Sequence, residues 1–311
     1  MEPQKKISVV VPCFNEEESL ATFNKTLLQF LPENYDYEVI YVNDGSRDNT
    51  FQVILNLAKD NQHIKYISLS RNFGHQNALK AGYDFASGDC AISLDADLQH
   101  PPAVIPELIA KWEEGFEIVN TIRADHDSIS YTKKISSGIF YHIMRKLSDV
   151  NIENGMADFR LMDKKVLKQL KLFPENYLFF RGIIPWMGFR QTIVPFKANE
   201  RFAGTTKYTF KKMLKFATSG VTSFSVKPLR LSIYLGFVFA FLAFLYGLYA
   251  TYAFLFTDQA VTGWTSVILS VLFVGGINLL MLGIIGEYLG KLFIENKRRP
   301  NYLISETNIN Q

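Results

Sequence analysis

The sequence predicts an α/β domain on a mostly parallel sheet, followed by a two-helix transmembrane hairpin. Two observations carry this. Up to about residue 120, short apolar runs alternate with helical stretches in the βαβ rhythm of a parallel sheet. From Leu231 to Gly290 there is no Lys or Arg, and the uncharged runs Leu231 to Phe256 and Ala260 to Gly286 each exceed the roughly 20 apolar residues that cross a bilayer core.

Taken in order, Ile7 to Pro12, Tyr37 to Val42, Ile64 to Leu69, Cys90 to Leu94 and Glu117 to Thr121 read as strands. Helical stretches near Glu17 to Leu31, Asn49 to Lys59, His75 to Ala86 and Ala103 to Glu114 lie between them. Beyond Arg123 the pattern changes. Ile135, Ile139, Ile143 and Leu147 recur every four residues among Lys133, Lys134, Arg145 and Lys146, which predicts a basic amphipathic helix over about 131–150. A second, within 207–227, runs from Phe210 to Phe224 with Lys211, Lys212 and Lys215. Both are read as lying in the membrane interface. The spans are expected at about 231–256 and 264–288, inside a segment 228–290, with residues 291–311 as a cytoplasmic basic tail. Residues 1–206 would form the cytoplasmic domain.

Basic residues flank the hairpin (Lys227, Arg230, Lys291, Lys297, Arg298, Arg299) and are missing from its short loop. The positive-inside rule therefore places both termini and the N-terminal domain in the cytoplasm, as a multi-pass protein of the inner membrane. The polar start leads directly into a strand, so no cleavable signal is expected. Cys13 and Cys90 should lie at opposite ends of parallel strands, which argues against a disulfide. Gly236, Ala240, Ala243, Gly247 and Ala250 in the first span, and Gly276, Gly283 and Gly290 in the second, form small-residue seams that join the hairpin or neighbouring subunits. A homo-oligomer would use such seams. The net charge of +3 carries no nucleic-acid signature.

Ligands on parallel sheets gather at the carboxyl ends of the strands. There the unusual polar residues fall: Asn15 and Glu16, Asp44 with Gly45 and Ser46, Arg71 and Asn72, then Asp95 and Asp97. Helix caps alone explain Asn49 but leave four strand ends polar at once. Alternate side chains of an extended chain point the same way, so Asp95 and Asp97 can converge on a hard cation, Mg²⁺ or Mn²⁺, with Gln99 as a further oxygen donor. Pro12 and Phe14 would turn the chain beside a planar base. Asp158 lies in an otherwise apolar segment, and Arg201, Lys207 and Tyr208 surround Gly204 in a loop suited to phosphate oxygens. No Gly-X-Gly-X-X-Gly follows the first strand and no Walker loop occurs, which weighs against a dinucleotide oxidoreductase or an ATPase.

In order and spacing, Val-Val-Pro-Cys-Phe-Asn-Glu-Glu, Val-Asn-Asp-Gly-Ser, Ser-Arg-Asn-Phe-Gly, Leu-Asp-Ala-Asp-Leu-Gln, Asp-Phe-Arg-Leu-Met-Asp and Arg-Phe-Ala-Gly-Thr-Thr-Lys-Tyr resemble the inverting family 2 glycosyltransferases of the GT-A fold. The likeness is to the membrane-anchored polyprenyl-phosphate enzymes related to dolichol-phosphate mannose synthase. It implies that Pro12, Phe14, Glu16 and Asp44 bind the nucleoside, that Asp95, Asp97 and Gln99 surround the metal, and that Asp158 lies at the reacting centre. Arg123, Arg201 and Lys207 would handle phosphate groups. Two positions depart from the pattern: His100 stands where Asp or Asn is common, and Ala157 where glycine is frequent.

The reaction implied is transfer of one sugar from a nucleotide-sugar to a polyprenyl phosphate such as undecaprenyl phosphate, for cell-envelope glycosylation. UDP-glucose is the favoured donor, with UDP-N-acetylglucosamine, UDP-galactose and GDP-mannose as alternatives. A processive polysaccharide synthase would share the front half, but it needs more spans and a Gln-X-X-Arg-Trp motif, whereas Gly188-Phe-Arg-Gln lacks that order. A non-catalytic membrane scaffold would have no reason to keep Asp95, Asp97 and Asp158 together.

Overall fold

The computed structural model describes residues 4–124, 155–175, 178–198, 225–256 and 263–309. The strands are β1 Lys6–Cys13, β2 Asp36–Asn43, β3 Ile64–Leu69, β4 Cys90–Ser93, β5 Ile118–Arg123, β6 Met156–Asp163, β7 Gln191–Phe196 and β8 Ile304–Thr307. They form a single sheet in the order β7-β5-β6-β4-β1-β2-β3-β8. β1 to β4 are mutually parallel, as are β5 and β7, whereas β6 runs antiparallel to β4 and β5. The first five strands fall where the apolar runs predict them.

Helices α1 Leu20–Leu28, α2 Thr50–Asp60, α3 His75–Phe85, α4 Ile105–Glu113, α5 Lys164–Leu170 and α6 Phe180–Trp186 cover both faces. The two-residue period of β1 sets the layers. Ile7, Val9, Val11 and Cys13 pack with Leu20, Phe23, Leu27, Ile54 and Leu108 of α1, α2 and α4. Val10 points the other way, against Leu79 and Tyr83 of α3, Val166 of α5 and Ile183 of α6. Such full burial contributes about 1.5–3 kcal/mol per large aliphatic side chain. Cys13 and Cys90 are buried free thiols, as expected.

Two long helices follow, α7 Lys227–Phe256 and α8 Trp264–Asn296, each long and apolar enough to cross a membrane. Large apolar side chains such as Phe237, Phe241, Leu272 and Leu279 project outward from both. The helices meet through pairs such as Phe239 and Phe273, whose rings are 5.5 Å apart. The glycines of the seams do not lock the hairpin: a Cβ placed on Gly236, Gly247, Gly276, Gly283 or Gly290 meets nothing within 4 Å. The amphipathic helices expected over 131–150 and 210–224 lie outside the described residues.

The segment 291–311 is more than a basic tail. After α8 the chain turns at Arg298, whose φ is +46°, and β8 joins the sheet antiparallel to β3. Ser305 Oγ donates to Ser68 O at 3.0 Å, Thr307 Oγ1 to Tyr66 O at 2.7 Å, and Tyr302 OH to Asp84 Oδ2 at 2.9 Å. Tyr302, Ile304 and Ile309 also pack on Ile67, Leu69 and Ala81. The chain beyond the hairpin is thereby stitched to the strand and helix that lead into the strand-end cluster.

Candidate active site

The turns after β1 and β2 are knitted together. Asn15 N–H donates to Ser46 Oγ at 3.1 Å, Arg47 N–H to Asn15 Oδ1 at 2.9 Å, and Glu16 N–H to Thr50 Oγ1 at 2.8 Å. Glu16 itself accepts from Ser19 Oγ at 2.7 Å. Pro12 is buried in β1, while Phe14 leaves 42% of its surface exposed at the lip. Asp44 is buried, and its oxygens accept from Phe73 N–H at 2.7 Å and Gly74 N–H at 3.0 Å. Burial pushes its carboxyl up from the ordinary value, although those two amides work the other way. Asp44 therefore anchors the turn that opens α3. Gly45 has φ +63°, and a Cβ there would lie 2.4 Å from the Arg71 carbonyl carbon, so the β2 and β3 turns touch backbone to backbone.

Past β4, Asp95 is 36% exposed at its side chain, with His75 Nε2 3.6 Å from Oδ1 and His100 Nδ1 3.5 Å from Oδ2. Asp97 is buried; its oxygens accept from Gln99 N–H at 3.1 Å and Gln99 Nε2 at 2.9 Å. Gln99 thus turns its amide nitrogen to Asp97 and its oxygen toward Arg123 Nη1, 3.5 Å away.

Asp158 lies on β6 beside β4, where Ser93 Oγ donates to its carbonyl at 2.5 Å. Arg160 Nη2 donates to Oδ1 at 3.0 Å and Arg181 Nη2 to Oδ2 at 3.0 Å. His75 Nε2 stands 3.8 Å from Oδ2, and Gln76 Nε2 donates to the same oxygen at 3.4 Å. Burial disfavours the charge on Asp158, but Arg181 and Arg160, with His75, outweigh it and hold the carboxyl well below the usual carboxylate range. Such a group is a weak proton acceptor at neutral pH.

His75 therefore links the Asp95 and Asp158 carboxylates. His75, Gln76, Arg160 and Arg181 are members that the sequence reading missed. Arg160 was legible, two residues from Asp158 on the same face of a strand; His75 and Gln76 follow a strand end. Arg181 carries no local signal and arrives through α6. Arg201, Lys207 and Tyr208 lie outside the described residues.

Among the described residues, no group of three or more His, Cys, Asp or Glu side chains is arranged to hold a metal. Asp95 and Asp97 supply two carboxylates, a donor set that fits Mg²⁺ or Mn²⁺ when water and substrate phosphate complete the shell.

Fold and site together define the class, a GT-A glycosyltransferase with a hairpin of two apolar helices behind it. The family model for glycosyl transferase family 2 matches residues 8–171, and the one for the GtrB C-terminal hairpin matches residues 227–292. The chain belongs to glycosyl transferase family 2. It is 42% identical over 300 residues to the prophage bactoprenol glucosyl transferase homolog of Escherichia coli, covering 96% of this chain and 98% of that one. Identity and coverage are the same for the bactoprenol glucosyl transferase of Shigella phage SfV. It is also 42% identical over 301 residues to the uncharacterized glycosyltransferase YkcC of Bacillus subtilis, covering 96% of this chain and 93% of that one.

Proposed function

We propose that this enzyme is an inverting transferase that moves one glucose from UDP-glucose to a polyprenyl phosphate, giving a polyprenyl-monophosphate sugar. The observation that carries this reading is the similarity, at 42% identity over 96% of the chain and with the hairpin included, to relatives named for glucosyl transfer to bactoprenol, a polyprenol.

On this reading Pro12, Phe14, Glu16, Asp44 and Ser46 shape the nucleoside wall, with Phe14 offering its exposed ring to the base. Asp95 and Asp97 would hold Mg²⁺ or Mn²⁺, with Gln99 orienting the Asp97 carboxylate through its amide nitrogen. Bound there, the cation neutralises the donor diphosphate. The phosphate oxygen of the lipid attacks the anomeric carbon from the opposite face as the bond to UDP breaks, and the electron pair leaves with UDP. The nucleophile is already anionic near pH 7, and Asp158 is held charged by Arg160 and Arg181. Asp158 therefore acts by position, setting the guanidiniums and His75 around the reacting centre. Arg123, Arg201, Lys207 and Tyr208 contact phosphate groups of donor or acceptor. The domain 1–206 faces the cytoplasm, and the basic segments beside the spans hold it where the lipid phosphate emerges from the inner membrane. A homo-oligomer would form through the open glycine faces of the spans.

The test is transfer of labelled sugar from a panel of nucleotide-sugars to undecaprenyl phosphate in purified membranes, with Mn²⁺ or Mg²⁺ and with EDTA. Metal-dependent transfer of a single glucose is expected. Polymer without that lipid would favour a synthase, and no transfer from any donor would overturn the reading.

A further inference from the structure

His100 closes the loop that carries Asp95 and Asp97, and its ring is built into the core. Asp95 N–H donates to His100 Nδ1 at 3.1 Å. The imidazole stacks on Phe159 of β6, with centroids 5.4 Å apart and planes at 26°, and meets Phe196 of β7 edge-on at 5.6 Å. Phe159 and Phe196 pack on each other at 5.8 Å. Only 12% of the His100 side chain is exposed.

We propose that His100 is a positioning residue for the carboxylates that hold the divalent cation: by accepting the Asp95 amide it fixes the main chain from which the Asp95 carboxylate projects. The inference rests on the reading above that Asp95 and Asp97 are cation ligands. The loop needs such an anchor, because Leu98 sits at φ +62°, a left-handed conformation that a non-glycine residue adopts only when its surroundings impose it. The chemistry of the contact matters too. Nδ1 is the acceptor for the Asp95 amide, an interaction that a carbocyclic ring of the same shape cannot make. The two phenylalanine rings make the anchor rigid, and both belong to strands outside the loop.

The experiment separates the acceptor from the ring. Mn²⁺ binding to the purified full chain in detergent, with UDP present, is followed by electron paramagnetic resonance, without turnover. His100→Phe keeps an aromatic ring against Phe159 and Phe196 but has no acceptor; His100→Asn keeps an acceptor and has no ring. Asp95→Asn marks the site. His100→Phe is expected to weaken Mn²⁺ binding about tenfold or more, the effect typical of losing a group that orients a ligand, and His100→Asn, which keeps an acceptor, to weaken it clearly less. Parent-like binding in His100→Phe, or equal losses in both variants, would overturn the proposal while leaving the cation site standing. Parent binding that is insensitive to Asp95→Asn would overturn the cation site and the proposal together.

Discussion

Replacing Asp158 with Asn tests the charge cluster at the reacting centre. The side chain keeps its shape but loses the charge that two guanidinium groups share, each at 3.0 Å. Arg160 is 1% exposed and would be left as a buried cation facing a neutral amide. Breaking a buried pair in this way costs about 3–5 kcal/mol. Arg181 is 32% exposed at its side chain, so solvent screens it and its share is smaller. For a domain of this size each kcal/mol lowers Tm by about 2–4 °C, which gives a fall of about 6–20 °C at pH 7. The assay is thermal unfolding of the full chain in detergent, parent against variant, across pH. A carboxyl whose folded pKa is depressed stabilises fully above its unfolded pKa, about 3.9, and that contribution is lost as pH falls further toward the folded value. The gap in Tm should therefore be constant from pH 7 to about 5 and shrink below about 4. An unchanged Tm at pH 7, or a gap at pH 3 as wide as the gap at pH 7, would refute the reasoning. Turnover of the variant below its melting range should keep the shape of its pH profile. Disappearance of an acid limb would instead mark Asp158 as a general base.

The remaining expectations concern the turns and the tail. Gly45→Ala forces a left-handed conformation on alanine and drives a Cβ into Arg71 backbone, so strain of about 1–3 kcal/mol should lower stability by that amount in thermal unfolding; an unchanged Tm would contradict the contact between the two turns. Tyr302→Phe removes the hydrogen bond to Asp84 and should lower stability by about 1–2 kcal/mol, seen in thermal unfolding. Deleting residues 302–311 removes β8, bares the edge of β3 and its apolar neighbours, and should add aggregation to that loss. If the truncated chain melts like the parent, the tail does not belong to the sheet.

Much of this was legible because it is local. Strands β1 to β4 announce themselves by apolar runs, and their carboxyl ends collect Asp44, Asp95 and Asp97 because a parallel sheet gathers chain turns there. The antiparallel β6 was visible only as an apolar segment around Asp158, since nothing in a two-residue period reveals the direction of a partner strand. β8 was hidden for a different reason: Ile304-Ser-Glu-Thr307 is short and polar, as an edge strand is, and its partner lies more than two hundred residues away in sequence. Gln99 was read as an oxygen donor, yet its amide nitrogen is turned to Asp97. Its oxygen faces Arg123, a neighbour that no spacing within the Asp-Ala-Asp-Leu-Gln run could disclose. For Asp44 the resemblance implies a nucleoside contact; its carboxylate also accepts from the turn before α3, a contact across 29 residues that the strand end alone does not disclose. Side-chain roles of this kind are set by tertiary contacts, whereas strand ends are set by the chain itself.

The central claim is a single displacement that places one glucose on a lipid phosphate. The most direct measurement is the structure of the lipid product formed from UDP-glucose and undecaprenyl phosphate, by mass spectrometry for the number of sugars and by proton NMR for the anomeric configuration. One hexose in β linkage to phosphate is the expected result, because attack from the face opposite UDP inverts the α-linked donor. An α-linked product, or a lipid carrying several sugars, would contradict the account.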